Sequence, residues 1–273
     1  MLSKQLLKNL FQGIAKRLLR QKTEGPAISI GWFQKKVLKH LPGGKTRSIR
    51  LWERTFYYEA PQELLHGLQE IFVDQIYKQT LSANPTIIDC GANIGLSVLY
   101  LKKQHPTATI LAFEPDPLNF SLLQQNIASF QLTDIQCIQA AVWIENKTLS
   151  FSGQKGMASG ISTTEQENSI EVKGIRLKDY LNQPIDFLKI DIEGAEWEVL
   201  KDCSSQLHTV KNLFVEYHGQ FEEQYKLTEI LNLLQQAGFK YYVREAAALA
   251  PHPFLRAPSN HPYEVQLNIF GFR

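Results

Sequence analysis

The chain has 273 residues, 44% of them hydrophobic, and a formal net charge of +2. That is apolar material for one large core, and no run nears the ~18 consecutive apolar residues of a membrane-spanning helix. Three widely spaced cysteines, Cys90, Cys137 and Cys203, exclude a disulfide framework and form no metal or redox motif, which predicts a reducing, cytoplasmic setting.

Charge is unevenly placed. Residues 1–60 carry 13 Lys and Arg against 3 Asp and Glu, a balance of +10, so the rest of the chain carries −8. Within that basic segment Leu2, Leu6, Leu7, Leu10, Phe11, Ile14 and Leu18 recur at helical spacing among Lys4, Lys8, Lys16 and Arg17. An amphipathic helix over residues 1–22 suits peripheral contact with an anionic membrane surface, or packing on its own domain or on a second copy in a homodimer. Gly25-Pro26 ends it, Pro42-Gly43-Gly44 marks a loop, and Ser48 to Trp52 reads as a short strand. Residues 55–81 read as a helix, with Leu64, Leu65, Leu68, Ile71, Phe72 and Ile76 on one stripe. Asn84-Pro85 stops it, which puts a boundary near residue 80 between a basic helical extension (1–80) and a second domain (81–273).

Residues 86–116 hold the first informative pattern. Ile87 and Ile88 begin a buried strand, Gly91 and Gly95 permit a tight turn that lets a ligand touch backbone, and a helix follows to Pro106. Ile110 to Phe113 form a second strand that ends in Glu114, about 20 residues past the turn, where a carboxylate can accept from both ribose hydroxyls. Strand, glycine turn, helix, strand and acid make a nucleoside half-site of a doubly wound α/β sheet. A dinucleotide fingerprint would need glycine where Asn93 and Leu96 stand, and no Gly-Lys-Ser/Thr follows for a phosphate loop. A ligand without pyrophosphate, beside the negative charge of Asp89, is predicted; S-adenosylmethionine, a cationic nucleoside, meets both conditions.

Pro115-Asp116-Pro117 starts a helix that runs to about Phe130. Ile135 to Val142 reads as the third strand, with Ala140 and Ala141 small enough to pass an adenine ring. Thr148 to Ser152 and Ser169 to Ile175 alternate as strands around a Gly/Ser/Thr stretch, Gly153 to Thr164. That stretch suits a lid or a plain solvent hairpin.

The second informative stretch is residues 185–200. Asp186 to Ile190 reads as a buried strand and Ala195 to Leu200 as the next helix, which places Lys189, Asp191 and Glu193 at a strand's carboxyl end, where open α/β sheets bind ligands. Leu213 to His218 is another strand, with Glu216 and His218 on one face. If the two strands are neighbours, Asp191, Glu193, Glu216 and His218 converge. An internal ion pair of Lys189 with Asp191 or Glu216, and Glu193 bonding a helix start, is the structural alternative. A helix over Phe221 to Ala237, a strand over Lys240 to Arg244, a Pro- and His-bearing loop over 246–262 and a last strand over Glu264 to Phe272 complete the chain, the final pair suiting an antiparallel hairpin.

Asp89-Cys-Gly-Ala-Asn-Ile-Gly-Leu-Ser97, Phe113-Glu-Pro-Asp116, Phe187-Leu-Lys-Ile-Asp-Ile-Glu-Gly-Ala-Glu196, Val215-Glu-Tyr-His218 and Asn268-Ile-Phe-Gly-Phe272 together resemble the FkbM family of S-adenosylmethionine-dependent methyltransferases. The resemblance covers roughly residues 70–273. It implies the class I Rossmann-like α/β fold with a seven-stranded sheet, mostly parallel with an antiparallel last strand, and methyl transfer to a hydroxyl of a sugar, glycan or natural product. By position it implies that Asp89, Gly91, Asn93 and Gly95 line the methionine part of the cofactor and that Glu114 holds its ribose; Ala141, by its size, is expected beside the adenine. His218 or Asp191 is the expected base, with Glu216 orienting the acceptor. No compact ligand motif marks a metal site; a divalent ion on Asp191, Glu193 and Glu216 is the alternative. A pocket that has lost its chemistry, or a nicotinamide oxidoreductase, are the rival classes. No Asn-Pro-Pro-Tyr-like tetrapeptide and no basic patch interleaved with aromatics points to nucleic acid.

Overall fold

The computed structural model describes residues 28, 31–152, 160–161, 169–249, 252, 254–255 and 261–273. The expected helix of residues 1–22 and most of the 153–164 stretch lie outside the described residues. Among the described residues, no helix is long and apolar enough to cross a membrane.

Helix α1 (Trp32–His40) leads into a hairpin of β1 (Arg47–Leu51) and β2 (Arg54–Tyr58), paired antiparallel. Residues 55–58 are therefore a strand and not the start of a helix. Thr55-Phe-Tyr-Tyr58 is a β-branched and aromatic run, with Phe56 and Tyr58 turned inward and the residues between them less buried, so strand preference wins locally. The helix begins at Pro61, whose missing N–H costs nothing at a first helical position. It runs as α2 (Pro61–Gly67) and continues as a π-helical turn over Leu68–Val73.

The main sheet is built from β3 (Thr86–Cys90), β4 (Thr109–Phe113), β5 (Ile135–Ile138), β10 (Ile185–Ile190), β11 (Val210–Gly219), β12 (Lys240–Glu245) and β13 (Val265–Phe272). Their spatial order is β12-β13-β11-β10-β3-β4-β5. All pairs from β11 to β5 are parallel, and β13 lies antiparallel between β11 and β12. The order reverses between β3 and β10, which opens a crevice at their carboxyl ends. Helices α3 (Leu96–Gln104), α4 (Pro117–Ser129), α5 (Glu196–Cys203) and α6 (Gln224–Gln236) connect the strands. Asp116 caps α4, its side chain accepting from the N–H groups of Leu118 and Asn119, with Pro117 next.

The expected strand over 135–142 is two strands. The Ala140 N–H turns back on the Ile138 carbonyl, and the chain leaves the main sheet. Residues Ala141–Trp143 (β6) then pair in parallel with β9 (Ser169–Arg176), in a second sheet completed by β7 (Thr148–Ser152) and β8 (Gly160–Ile161).

Alternation along the buried strands divides the core in two. Ile88, Cys90, Leu188, Ile190, Leu213 and Val215 pack on Val199, Leu200, Ile230 and Leu234. On the opposite face Ile87, Phe187 and Phe214 join a cluster with Leu99, Leu101 and Leu123, and with Leu38, Phe56, Leu64, Leu68, Phe72 and Tyr77. Residues 38–77 thus share one apolar interior with the sheet. Their π-helical turn overlooks the carboxyl end of β10 and β11, where Asn268 Nδ2 donates to Glu70 across 3.1 Å.

Candidate active site

The turn after β3 is built on left-handed residues: Gly91 at φ 84°, Asn93 at 47° and Gly95 at 92°. A Cβ on Gly91 would stand 1.8 Å from the Asp191 carbonyl oxygen, and one on Gly95 would meet Leu123 Cδ1 at 2.7 Å. Gly91 is thus demanded by backbone packing and Gly95 by its left-handed φ, whatever a ligand requires of them. The N–H groups of Gly91 and Ala92 donate to the Phe113 carbonyl, which fastens the turn to the end of β4.

Asp89 is fully buried. Ser97 Oγ donates to one of its oxygens at 2.5 Å, and Lys189 Nζ lies 3.2 Å from the other. Lys189 also donates to the Gly91 carbonyl at 2.8 Å and pairs with Asp191 at 3.2 Å. Burial alone would depress the Lys189 pKa; Asp191 and Asp89 outweigh it and raise the ammonium well above its ordinary range. The expected ion pair of Lys189 with Asp191 is present, joined by Asp89. Glu216 is not among its partners.

Glu114 stands at the end of β4, its two oxygens accepting from the N–H groups of Asn93 at 2.8 Å and Asp116 at 3.0 Å. Burial pushes its pKa up to about 7, against the pull of those two donors. Each oxygen keeps a lone pair for a further donor. The Asn93 side chain is turned to its own neighbour, its Oδ1 accepting from the Ile94 N–H. Ala141 is buried at the start of β6.

β10 and β11 are neighbours, so Asp191, Glu193, Glu216 and His218 do converge. The Asp191 N–H donates to the Cys90 carbonyl at 3.1 Å, so this cluster and the turn after β3 share one wall. His218 Nε2 lies 3.5 Å from Glu193 and 3.8 Å from Glu216. Its Nδ1 is 3.1 Å from Glu196 Oε1. Glu196 is fully buried, and the same oxygen accepts from the N–H groups of Ile192 and Gly194. The carboxylate bonding the helix start is therefore Glu196, not Glu193.

Burial alone would lower the His218 pKa; Glu196, with Glu193 and Asp191, outweighs it and raises the imidazole to about 10. Burial raises Glu193 and Glu216 above the carboxylate range, with Asp191 repelling both. Gln266 Nε2 donates to Glu216. Ligand atoms of Asp191, Glu193 and His218 all lie within 4.8 Å of one another, a set that can hold a metal ion.

Two residues of this cluster were not among the predicted site residues. Glu196 carries a legible signal, an acid in the first turn of a helix that follows an acidic loop. Tyr263 carries none, being one aromatic in a Pro- and His-bearing loop. Its hydroxyl donates to the Glu193 carbonyl at 2.7 Å and its ring stacks 4.8 Å from that of His218.

The family model of the methyltransferase FkbM domain matches residues 89–241. Methyltransferase sdnD of Sordaria araneosa is 31% identical over 242 residues, which cover 74% of this chain and 92% of the relative. The 31-O-demethyl-FK506 methyltransferase FkbM of Streptomyces tacrolimicus is 25% identical over 239 residues, 73% of this chain and 87% of the relative. Among solved structures, methyltransferase FkbM from Methylobacillus flagellatus KT superposes with a TM-score of 0.50 at 15% identity, over 78% of this chain and 54% of that one. That last likeness concerns the fold.

A seven-stranded sheet, mostly parallel with an antiparallel β13, is the class I methyltransferase fold. Within that class the chain belongs to the FkbM methyltransferase family, and its methyl donor is S-adenosylmethionine.

Proposed function

We propose that this methyltransferase acts on oxygen, methylating a hydroxyl of a sugar, a glycan or another natural product. The observation that carries the reading is the shared wall. Asp191 is bonded through its own N–H to the cofactor turn, so a hydroxyl held by its side chain lies beside the donor. Crowded carboxylates suit an acceptor with several hydroxyls, because each hydroxyl donates to a carboxylate oxygen. The activity named for the Streptomyces relative supports an oxygen acceptor as well.

In this reading Glu114 takes the ribose hydroxyls, the turn from Asp89 to Gly95 faces the methionine part, and Ala141 flanks the adenine. Displacement at a sulfonium methyl needs the acceptor oxygen in line with it, and positioning of that kind is worth ~7–11 kcal/mol at best. Asp191 accepts the hydroxyl proton as the oxygen attacks. Glu216 and His218 orient the acceptor from β11. The charge shared by Lys189 among Asp89, Asp191 and the Gly91 carbonyl fixes the Asp191 carboxylate relative to the turn.

The test is methyl transfer from labelled S-adenosylmethionine to a panel of free sugars and macrocyclic alcohols. Asp191→Asn should lower turnover at least ~100-fold while donor affinity by calorimetry stays within about twofold. Normal turnover in that variant would discard Asp191 as the base. Failure of the wild-type chain to methylate any hydroxyl, with donor binding intact, would move the reading to another acceptor class.

A further inference from the structure

We propose that Asp191, Glu193 and His218 form a binding site for one divalent cation of the Mn²⁺ type at the carboxyl edge of β10 and β11. The three ligand atoms already lie within 4.8 Å of one another. Adjacent ligands at about 2.1 Å from a first-row cation stand about 3 Å apart, and His218 Nε2 is 3.5 Å from Glu193 Oε2. Closing the set to that spacing takes side-chain shifts that include Asp191.

Three further observations point to a ligand there. Glu193 Oε2 is buried and takes no hydrogen bond. The His218 side chain is only 2% exposed, and its Nδ1 is held by the Glu196 carboxylate, leaving Nε2 aimed at the cluster. A carboxylate on the far nitrogen is the usual support of a metal-bound imidazole, since it fixes the ring and raises its basicity. Finally, Glu193 is held at φ 55°, with its carbonyl pinned by the Tyr263 hydroxyl, so the loop presents this side chain to the histidine from a strained backbone.

Ligand chemistry narrows the ion. One imidazole nitrogen with two carboxylates is a mixed set, which favours a first-row divalent ion over Mg²⁺, and Mn²⁺ is the probe of that group that a carboxylate-rich set also suits. The Asp191 and Glu193 side chains are each 25% exposed, so the remaining positions open toward the crevice. An acceptor hydroxyl entering one of them would be polarised and its pKa lowered. That role rests on the oxygen-methylation reading; the site itself does not.

The experiment strips the full chain with EDTA and titrates it with MnCl₂, following the free-ion paramagnetic resonance signal with no cofactor or acceptor present. Uptake of one Mn²⁺ per chain is expected, weakened at least about tenfold in Glu193→Gln and in Glu196→Gln, and unchanged in Glu229→Gln. Glu193 stands on a half-exposed loop, so its variant should keep the native circular dichroism spectrum. No uptake by the wild-type chain, or wild-type affinity in a natively folded Glu193→Gln, overturns the site. Donor calorimetry and methyl transfer on the same preparation separate the two readings. Mn²⁺ uptake with donor binding but no hydroxyl methylation keeps the site and sinks the reaction; undiminished turnover in EDTA keeps the site and removes its role.

Discussion

At the scale of single residues the site is set by groups that do two things at once. Gly91 combines a left-handed backbone with contact against the Asp191 carbonyl. Gly91→Ala should therefore cost about 2–4 kcal/mol in urea unfolding, through strain and displacement of the turn. Glu114 gives a prediction with opposite signs for folding and for binding. Its folded pKa of about 7 lies above the ordinary carboxylate value, so its stabilising contribution is present in acid and lost as pH rises through 7. Wild type should gain on Glu114→Gln by an amount on the order of 2–3 kcal/mol between pH 8 and pH 5. On the proposal that Glu114 takes the ribose hydroxyls, the ionised form binds the donor, so affinity for S-adenosylmethionine should fall about tenfold from pH 8 to pH 6 in wild type and stay flat in the variant. A flat wild-type profile would remove Glu114 from the ribose site.

At the scale of elements, side chains stand in for missing strand partners. Asn126 on α4 accepts from the Tyr57 N–H at 2.7 Å and donates to the Tyr57 carbonyl at 3.0 Å, as a neighbouring strand would, and also donates to the Ile94 carbonyl at 2.8 Å. One amide thus ties the β1–β2 hairpin to the cofactor turn. Asn126→Ala leaves those three backbone groups without a partner and should cost about 2–4 kcal/mol by thermal unfolding. Sequence periodicity could not show this. Asn126 reads as an ordinary polar position on α4, and its meaning comes from a hairpin about 70 residues away. The same distance explains the misread 55–58 segment, whose pairing with β1 is invisible to a helical template. By contrast β3, β10 and β11 were legible because parallel strands buried on both faces are continuous apolar runs ending in charge. The break at Ala140 was not, since two alanines carry no turn signal.

At the scale of the whole molecule, residues 38–77 are part of the interior. Phe56, Leu64, Leu68 and Phe72 join the cluster of Ile87 and Leu99, and Glu70 meets Asn268 over the carboxyl end of β10 and β11. A chain beginning at residue 81 should lack one cooperative unfolding transition in calorimetry; a sharp, wild-type transition would support a domain boundary near residue 80. The convergence of Asp191, Glu216 and His218 was legible from strand ends alone. Glu196 carried a helix-start signal, but its bond to His218 on another element did not, and Tyr263, entering from a loop, needed the fold.

Lys189 has a consequence for how the two sides of the crevice communicate. Its ammonium touches the Gly91 carbonyl of the turn after β3 and the Asp191 carboxylate at the end of β10. On the proposed roles, a donor that draws on that carbonyl changes what the ammonium offers Asp191, and an acceptor that occupies Asp191 acts back on the turn. Such linkage is reciprocal in free energy, whichever ligand arrives first. Each ligand would then sense the other through one buried cation.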